Sequence, residues 1–448
     1  MPTPLEQFVD SVRTLSQQGK FRELMEEIIT TSTDVLLKNG EHLDNVLEIF
    51  NLQEHSLGIL AVLCVKFSVL NFNEESTPDS YEPLFNQIQE FITGCNGEHV
   101  KFASDTYAEL CHLFTQSLVE FQTPLRGIEI LRLAIRKIQL FDSQLTSIHA
   151  DLCHLCLFAK CLKPALEFLD INITDISQEE GQFNSKHFLL YYYYGGMIYT
   201  ALKNYDRALD FFEVCVTTTA TGISYIMIEA YKKYILVSLI LHGKILNLPK
   251  YTSQVIYRYI KPLSQQYQEL ANAYQISNCD VILSVVTKHQ ELFMRDRNMG
   301  LVKQVLNCLY KRNIQRLTNT FMTLSLSDVA SRVQLSVPAD AEKYILNMIE
   351  DGEIFARINQ KDGMVVFLDD PEKYNTSQMF ANLEKEIEAC MKMHKQVLKM
   401  EEEIDLTSQY VRKACGLNDE DDQLAGPAPK NVKNVQGQSE RNGNIYSM

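Results

Sequence analysis

The chain has 448 residues, of which 46% are hydrophobic, and it carries a formal net charge of −15. That length and apolar content are sufficient for about two to four folding units with real cores, which excludes an intrinsically disordered chain. The acidic balance argues against nucleic acid or an anionic membrane as the main partner, because both attract cations.

The N-terminal stretch MPTPLEQFVDSVR has no apolar run behind a basic flank, and the longest apolar stretches are about half a membrane span. We therefore expect neither export nor membrane anchoring. The eleven cysteines are scattered and odd in number, without the dense spacing of disulfide scaffolds. Reduced thiols in the cytoplasm or nucleus are the expectation.

Residues 1–295 have the pattern of a helical-repeat region. Glycine and proline are sparse, and apolar residues recur at spacings of three and four, which predicts successive amphipathic helices. Turn-forming residues cluster at 71–83, 122–124, 172–184 and 217–222. These breaks predict helical hairpins of roughly 40 residues that stack as a solenoid similar to tetratricopeptide repeats.

The stretch HFLLYYYYGGMIYTALKNYDRALDFF, residues 187–212, tests that period. Tyr192, Gly196 and Tyr199 share one helix face, and Gly196 allows a second helix carrying Ala208 and Phe212 to approach closely. The other tyrosines of the run point elsewhere, because successive helical residues lie about 100° apart. We therefore interpret the aromatic run as helix packing rather than as a ligand cage.

Residues 296–375 predict a winged-helix module. Ser325 is a candidate N-cap, Pro338 begins a second helix and Gly352 ends it. Two strand-like runs, IFARINQ and MVVFLDD, follow, and Asp362 and Gly363 between them suit a tight hairpin. The order helix, helix, hairpin is typical of winged helices.

The second run of that hairpin, Met364 to Leu368, is entirely apolar. One hypothesis places it at the edge of a small sheet, where Val365 and Phe367 would mark an interface to another chain. The alternative is that these side chains are simply buried.

Residues 376–415 predict one long helix with a single apolar seam, because apolar residues recur at alternating steps of three and four. We expect Leu383, Ile387, Val397 and Ile404 to contact partner helices in a bundle. The alternative is that the helix folds back on its own domain. Residues 416–448 are polar, and their composition predicts a disordered tail.

These features resemble the PCI-domain family, which is shared by the proteasome lid, the COP9 signalosome and a translation initiation factor. In its wider sense the PCI domain would span residues 195–370. Blocks covering most of residues 5–375 carry the resemblance, and the N-terminal and central ones point to one COP9 signalosome subunit: LEQFVDSVRTLS, QEHSLGILAVL, CNGEHVKFASDT, QLTSIHADLC, KHFLLYYYYGGMIYT, KYILVSLILHGK, LPKYTSQ, RNMGLVKQVL, NIQRLTNTFMTLSLSDVASRVQLS and AEKYILNMIEDGEIFARINQKDGMV.

The resemblance implies a mostly α fold: a tetratricopeptide-like helical-repeat solenoid, a winged-helix (PCI) module and a long C-terminal helix. It also implies a non-catalytic scaffold that supports removal of the ubiquitin-like protein NEDD8 from cullins. The implied partners are the other signalosome subunits and, through the complex, cullin-RING ubiquitin ligases. Both nucleus and cytoplasm are implied as locations. A proteasome-lid subunit is the alternative within the family.

Candidate chemistry is sparse. His149, Cys153 and Cys156 lie on one helical face, but a lone CxxC inside a continuous helix lacks the second ligand pair of a structural zinc site. Motifs for phosphate binding, metalloproteases and serine hydrolases are absent, and no histidines form His-x-His. We therefore expect no catalysis, no metal and no cofactor.

A nucleic-acid-binding winged helix is the alternative from another class. A group of basic residues precedes the module, which would suit phosphate binding. The helix that would enter a groove, ADAEKYILNMIEDGE, carries five acidic residues against one lysine, so phosphate would be repelled. We therefore expect a solvated or protein-facing role for the basic residues Arg295, Arg297, Lys303, Lys311, Arg312 and Arg316.

Overall fold

The computed structural model describes residues 3–28, 33–72, 78–177, 185–219, 222–254, 256–335, 337–369 and 375–414. The predicted disordered tail, 416–448, lies outside these residues. Residues up to Phe367 form one compact unit and those from Leu368 form a second. Within the described residues, no helix is both long enough and apolar enough to cross a membrane.

Helices dominate, which confirms the predicted fold class. The N-terminal series consists of α1 Pro4–Gln17, α2 Phe21–Glu27, α3 Thr33–Lys38, α4 Leu43–Ile49, α5 Ser56–Phe72, α6 Pro78–Gly94, α7 Gly97–Val100, α8 Ser104–Glu120, α9 Leu125–Ile138, α10 Ile148–Phe158, α11 Lys163–Leu169, α12 Ser185–Ala201, α13 Tyr205–Thr217 and α14 Tyr225–Leu241. Two short strands, β1 Gln144–Leu145 and β2 Asp175–Ile176, pair in parallel beside α10 and α11.

A five-residue π-helix, Ile256–Ile260, leads into the next helices. These are α15 Lys261–Leu263, α16 Gln265–Ile276, α17 Cys279–Lys288, α18 Gln290–Arg295 and α19 Met299–Thr318. The winged-helix module follows with β3 Thr323–Ser325, α20 Leu326–Val333, α21 Pro338–Glu350, β4 Ala356–Asn359 and β5 Met364–Phe367. The second unit contains α22 Ser377–Asp405 and α23 Ser408–Ala414.

Local sequence explains the ends of the module's helices. The Ser325 hydroxyl accepts a hydrogen bond from the Asp328 N–H at 3.0 Å, so Ser325 is the N-cap of α20. Gly352 follows α21 with φ +70°, and Gly363 in the hairpin has φ +61°. The Asp362 carboxylate accepts from the Asn359 side-chain amide at 2.6 Å, which braces the hairpin turn.

The tyrosine run packs against three different neighbours rather than converging. Tyr191 lies against His149 of α10, and Tyr194 stacks on His154 of the same helix at 5.1 Å between ring centres. Tyr192 contacts Phe211 of α13 at 5.2 Å. Tyr193 faces Phe212 and the ammonium group of Lys233. The rings therefore do not form a cage.

The assignment of Tyr192 to the interior of the helix pair was wrong in part. Tyr191 is only 1% exposed, whereas Tyr192 is half-buried. The helical-repeat pattern placed one aromatic on the α13 side of α12, but it did not account for α10 and α11 on the other side, which cover Tyr191. Tyr199, Ala208 and Phe212 are buried.

Gly196 allows α12 and α13 to pack closely. A Cβ atom on Gly196 would lie 2.7 Å from the nearest atom of the Phe212 ring. A Cβ atom on Gly195 would lie 2.6 Å from Phe211 and 2.8 Å from Leu169. Both glycines thus face aromatic rings of the next helix, and the close approach offsets the cost of about 1 kcal/mol that glycine carries inside a helix.

Two hydrophobic cores lie within the first unit. The larger core runs from Phe8 to Leu309, and the smaller one runs from Ile314 to Phe367. Helix α19 contributes to both, because its N-terminal half supplies Val302 and Val305 to the first and its C-terminal half supplies Ile314 to the second. The change of core thus falls inside a helix, not at the predicted boundary between residues 295 and 296.

A buried ion-pair network joins α14 to the turn between α18 and α19. The Lys232 ammonium group lies 2.7 Å from both Glu229 and Asp296, and each of these side chains is about 10% exposed. Burial opposes the charge of Lys232, but its hydrogen bonds to Asp296 and Glu229 outweigh that and raise its pKa. Asp296 also accepts from the Tyr267 hydroxyl at 2.9 Å.

The His149, Cys153 and Cys156 side chains are core residues of α10. The His149 Nδ1 lies 2.9 Å from the Thr146 hydroxyl, and burial lowers the histidine pKa from 6.5 to about 4. Burial raises the pKa of the Cys156 thiol to about 12 and raises that of Cys153 as well. Metal ligation needs a thiolate, which this environment disfavours.

Replacing Gly196 with alanine is expected to lower the free energy of unfolding by about 1–3 kcal/mol, because the added methyl group overlaps Phe212. Urea denaturation followed by far-ultraviolet circular dichroism measures the change. Gly300→Ala is the matched control, since Gly300 is also helical but has nothing within 4 Å of the added methyl group. Equal stability of the two variants would contradict the close-packing explanation.

Acidification is expected to destabilise the fold through His149. Its folded-state pKa of about 4 lies below the ordinary 6.5, so the unfolded chain binds the extra proton and stability falls as pH drops through that window. Between pH 7 and pH 5 this residue should account for a loss of about 2 kcal/mol.

Urea denaturation at the two pH values tests this expectation. His149→Gln cannot take up the proton, so its loss on acidification should be smaller than that of the parent by that amount. The control, His242→Gln, changes an exposed histidine and should lose as much stability as the parent. A His149→Gln variant as acid-sensitive as the parent would refute the assignment.

Candidate functional site

The sheet of the winged-helix module corrects the edge-strand hypothesis. Its strand order is β3-β5-β4, so β5 is the central strand and is paired on both sides. Val365 is fully buried and Phe367 is 6% exposed, both in the small core. The hypothesis was wrong because β3, only three residues long, pairs with the outer side of the predicted hairpin. Val365 and Phe367 therefore stabilise the module, and β5 has no free edge to offer another chain.

The free edges of this sheet belong to β3 and β4. Phe367 donates its backbone N–H to the Met322 carbonyl at 2.8 Å, so every second N–H of β5 points toward β3. In the β3–β5 register, Leu324 lies opposite Val365, and the backbones of these two residues are hydrogen-bonded to each other. It follows that the N–H of Thr323 points away from β5, where no strand of the described residues pairs with it.

Helix α22 presents the predicted seam to solvent. It is 29 residues long, and none of its side chains is buried within its own unit. The four predicted interface residues Leu383, Ile387, Val397 and Ile404 are 50–59% exposed. Burying side chains of this size against a partner contributes about 1 kcal/mol or more each. An exposed apolar stripe of this length is typical of an interaction surface.

The predicted single C-terminal helix is interrupted. α22 ends at Asp405 and α23 begins at Ser408, with Leu406 as the C-cap of α22. The Thr407 hydroxyl donates to the Ile404 carbonyl at 2.6 Å, a local bond that competes with continuation of the helix. The seam is therefore continuous only as far as Ile404.

Three of the six basic residues that suggested nucleic-acid binding have partners inside the fold. Lys311 lies 2.9 Å from both Asp351 and Glu353. Arg312 donates to the carbonyls of residues 241 and 242, at 2.7 and 2.6 Å. Arg316 donates to the Ser277 hydroxyl at 2.9 Å. The charges of these three residues hold elements of the chain together, so they are not available to bind phosphate.

Sequence reasoning missed two features of the first unit. One is β3, whose three residues give no strand signal by themselves. The other is the buried network of Glu229, Lys232 and Asp296, in which Lys232 and Asp296 are 64 positions apart and all three residues look solvated in the sequence. A possible signal for the network was the adjacent pair Lys232 and Lys233 inside an otherwise apolar helix, because such a helix is buried on all sides.

In the ranges that the structure describes, no three histidine, cysteine or acidic side chains are arranged to hold a metal ion. The His112 ring nitrogen lies within hydrogen-bond distance of the Asp151 carboxylate, and the His112 ring stacks on that of His187. The surfaces with the clearest capacity for interaction are thus the β3 edge and the seam of α22.

The chain is similar to known proteins over most of its length. Residues 18–256 match the family described as COP9 signalosome complex subunit 3, N-terminal helical repeats, and residues 286–369 match the PCI domain. A relative from Drosophila melanogaster, named COP9 signalosome complex subunit 3, is 49% identical over 96% of this chain and 98% of its own. One of the same name from Dictyostelium discoideum is 38% identical over 84% of this chain and 89% of its own.

Identity at this level across nearly the whole of both chains shows membership of the same family and not only a shared fold. It spans the helical repeats, the module and the α22 region alike. The chain belongs to the COP9 signalosome complex subunit 3 family.

Proposed function

We propose that this chain is a non-catalytic scaffold subunit of the COP9 signalosome and supports deneddylation of cullins in cullin-RING ubiquitin ligases. The observation that carries this is its similarity, over nearly its full length, to relatives named for that complex. Its partners are other signalosome subunits, and it meets cullin-RING ligases through the assembled complex. It acts in both the nucleus and the cytoplasm.

The contribution of the chain is geometric. Helix α22 offers partner helices a stripe of half-exposed apolar residues, and its heptad spacing suits a bundle of several helices. The winged-helix module offers strand edges on β3 and β4 for pairing with a neighbouring module. Since a three-stranded sheet has two edges, one module is able to join two neighbours.

Chemistry is left to other subunits. The buried cysteines of α10 have raised thiol pKa values, and His149 has a lowered one, which suits packing rather than nucleophilic attack. The sequence also contains no His-x-His pair and none of the common metalloprotease motifs. A scaffold role fits these residues better than a catalytic one.

Neither alternative gains support. The relatives are named for the signalosome and not for the proteasome lid. A nucleic-acid role would need free cations near the module, but Lys311 and Arg312 are occupied within the fold.

Replacing Leu383 and Ile387 together with aspartate is expected to reduce recovery of other signalosome subunits at least tenfold. Two apolar contacts are lost and two charges are forced into the bundle, at a cost of about 3 kcal/mol or more. Quantitative mass spectrometry of proteins that co-purify with the tagged full chain measures the effect.

The matched control is Asn382→Asp with Ala389→Asp, which adds the same charge at exposed positions off the seam. It should retain its partners. Equal recovery with both double variants would exclude α22 as an assembly surface, and recovery of proteasome-lid subunits with the parent chain would refute the proposed complex.

Replacing Thr323 with proline is expected to weaken association with one neighbouring subunit several-fold. Proline removes an N–H that points away from the sheet, so no internal ladder bond is lost and the module should stay folded. Thr323→Val is the control, because it alters the same exposed side chain and keeps the N–H. Association that is equally strong in both variants would show that this edge is not used.

A further inference from the structure

The segment between α14 and α16 is positively charged within an acidic chain. From residue 230 to residue 268 the sequence contains no aspartate or glutamate, although the whole chain has a net charge of −15. The same segment contains six basic residues: Lys232, Lys233, Lys244, Lys250, Arg258 and Lys261. Such a concentration of one sign of charge raises the local attraction for anions.

Two of the six cations are already matched inside the fold. Lys232 and Lys233 are buried on α14 and form ion pairs with Glu229, at 2.7 and 3.8 Å. The other four side chains are exposed, and no carboxylate in the described part of the chain lies within ion-pair distance of them. Their charge is therefore available to a partner.

The π-helix displays aromatic rings beside these free cations. Ile256 and Ile260 are fully buried, so the residues between them project outward. Tyr257 and Tyr259 are 45% and 43% exposed. π-Helical turns are rare and occur frequently at functional sites.

Cation–π contacts hold two of the cations against those rings. The Lys261 ammonium group lies 4.5 Å from the centre of the Tyr257 ring. The Arg258 guanidinium lies 5.4 Å from the centre of the Tyr259 ring. Fixing charged side chains in this way lowers the entropy that they lose on binding.

The turn before the π-helix adds another cation and another ring. Lys250 is exposed, and Tyr251 beside it is 71% exposed. We call the combined surface the basic–aromatic face: Lys250, Tyr251, Tyr257, Arg258, Tyr259 and Lys261. Tyrosine and arginine are the side chains that most often dominate binding energy at protein interfaces.

We infer that the basic–aromatic face binds a short acidic segment of a partner protein, in which carboxylates alternate with apolar side chains. The exposed cations complement the carboxylates, and the tyrosines complement the apolar groups. A short segment fits better than an extended polyanion, because the rest of this acidic chain would repel a nucleic acid strand or an anionic membrane. The inference is independent of the proposed function and uses neither the β3 edge nor α22.

Fluorescence anisotropy tests the inference with the full-length chain and a short fluorescein-labelled peptide of repeated Glu-Phe-Asp units. Binding should be saturable and should weaken with added salt. Arg258→Glu with Lys261→Glu should weaken it at least about tenfold, because two attractive charges become repulsive. Circular dichroism should show an unchanged fold, since both side chains are exposed.

The matched control is Lys163→Glu with Lys303→Glu, which makes the same change in net charge at exposed lysines on α11 and α19. It should bind the peptide as the parent does. Equal weakening by both double variants would overturn the inference in favour of a diffuse charge effect, and so would failure of the parent to bind. Tighter binding of oligothymidine or of phosphatidylserine vesicles, lost in the Arg258 and Lys261 variant, would overturn the choice of partner.

Discussion

Helix α19 is the constraint on which the first unit depends, because it supplies side chains to two hydrophobic cores. Its residues Val302 and Val305 belong to the helical-repeat core, and Ile314, three turns later, belongs to the core of the winged-helix module. No flexible linker separates these two parts. A rigid helix that is buried at both ends transmits orientation directly, so the module follows the last repeats as one body.

Polar contacts of α19 add to the connection between the two hydrophobic cores. Lys311 pairs with two carboxylates after α21, whereas the neighbouring Arg312 caps carbonyl groups at the end of α14. Two adjacent side chains thus connect the same helix to two different parts of the chain. The network around Asp296, just before α19, fixes its start to α14. Half of the basic residues that suggested phosphate binding, Lys311, Arg312 and Arg316, thus connect α19 to other parts of the first unit.

Sequence periodicity predicted the helices well, because each must bury one face and the spacing of that face is local information. Gly196 and Phe212 were found in this way. The burial of Tyr191 was not, since it depends on which non-adjacent helices cover α12, and a repeat pattern describes only one pair at a time. The same limit applies to the ion pair between Lys232 and Asp296, because these residues are brought together only by the tertiary fold.

In the candidate site too, local features could be predicted from the sequence and non-local ones could not. The seam of α22 could be predicted because it is a property of one helix, and its residues are exposed as an interaction surface requires. The central position of β5 in the sheet could not be predicted, because strand order is a non-local property and β3 is too short to give a recognisable strand pattern in the sequence. Burial explains part of the apolar character of β5, because Val365 and Phe367 pack in the small core, whereas Val366 between them is 37% exposed.

The bare helix α22 has a consequence for the life of the chain in the cell. With nine large apolar side chains exposed on α22, from Phe380 to Ile404, a newly made copy without partners presents a surface that favours self-association and attracts chaperones. Copies that find partners are protected, and surplus copies are exposed to quality control. The same stripe that would bind partners therefore also couples the abundance of this chain to the supply of its partners.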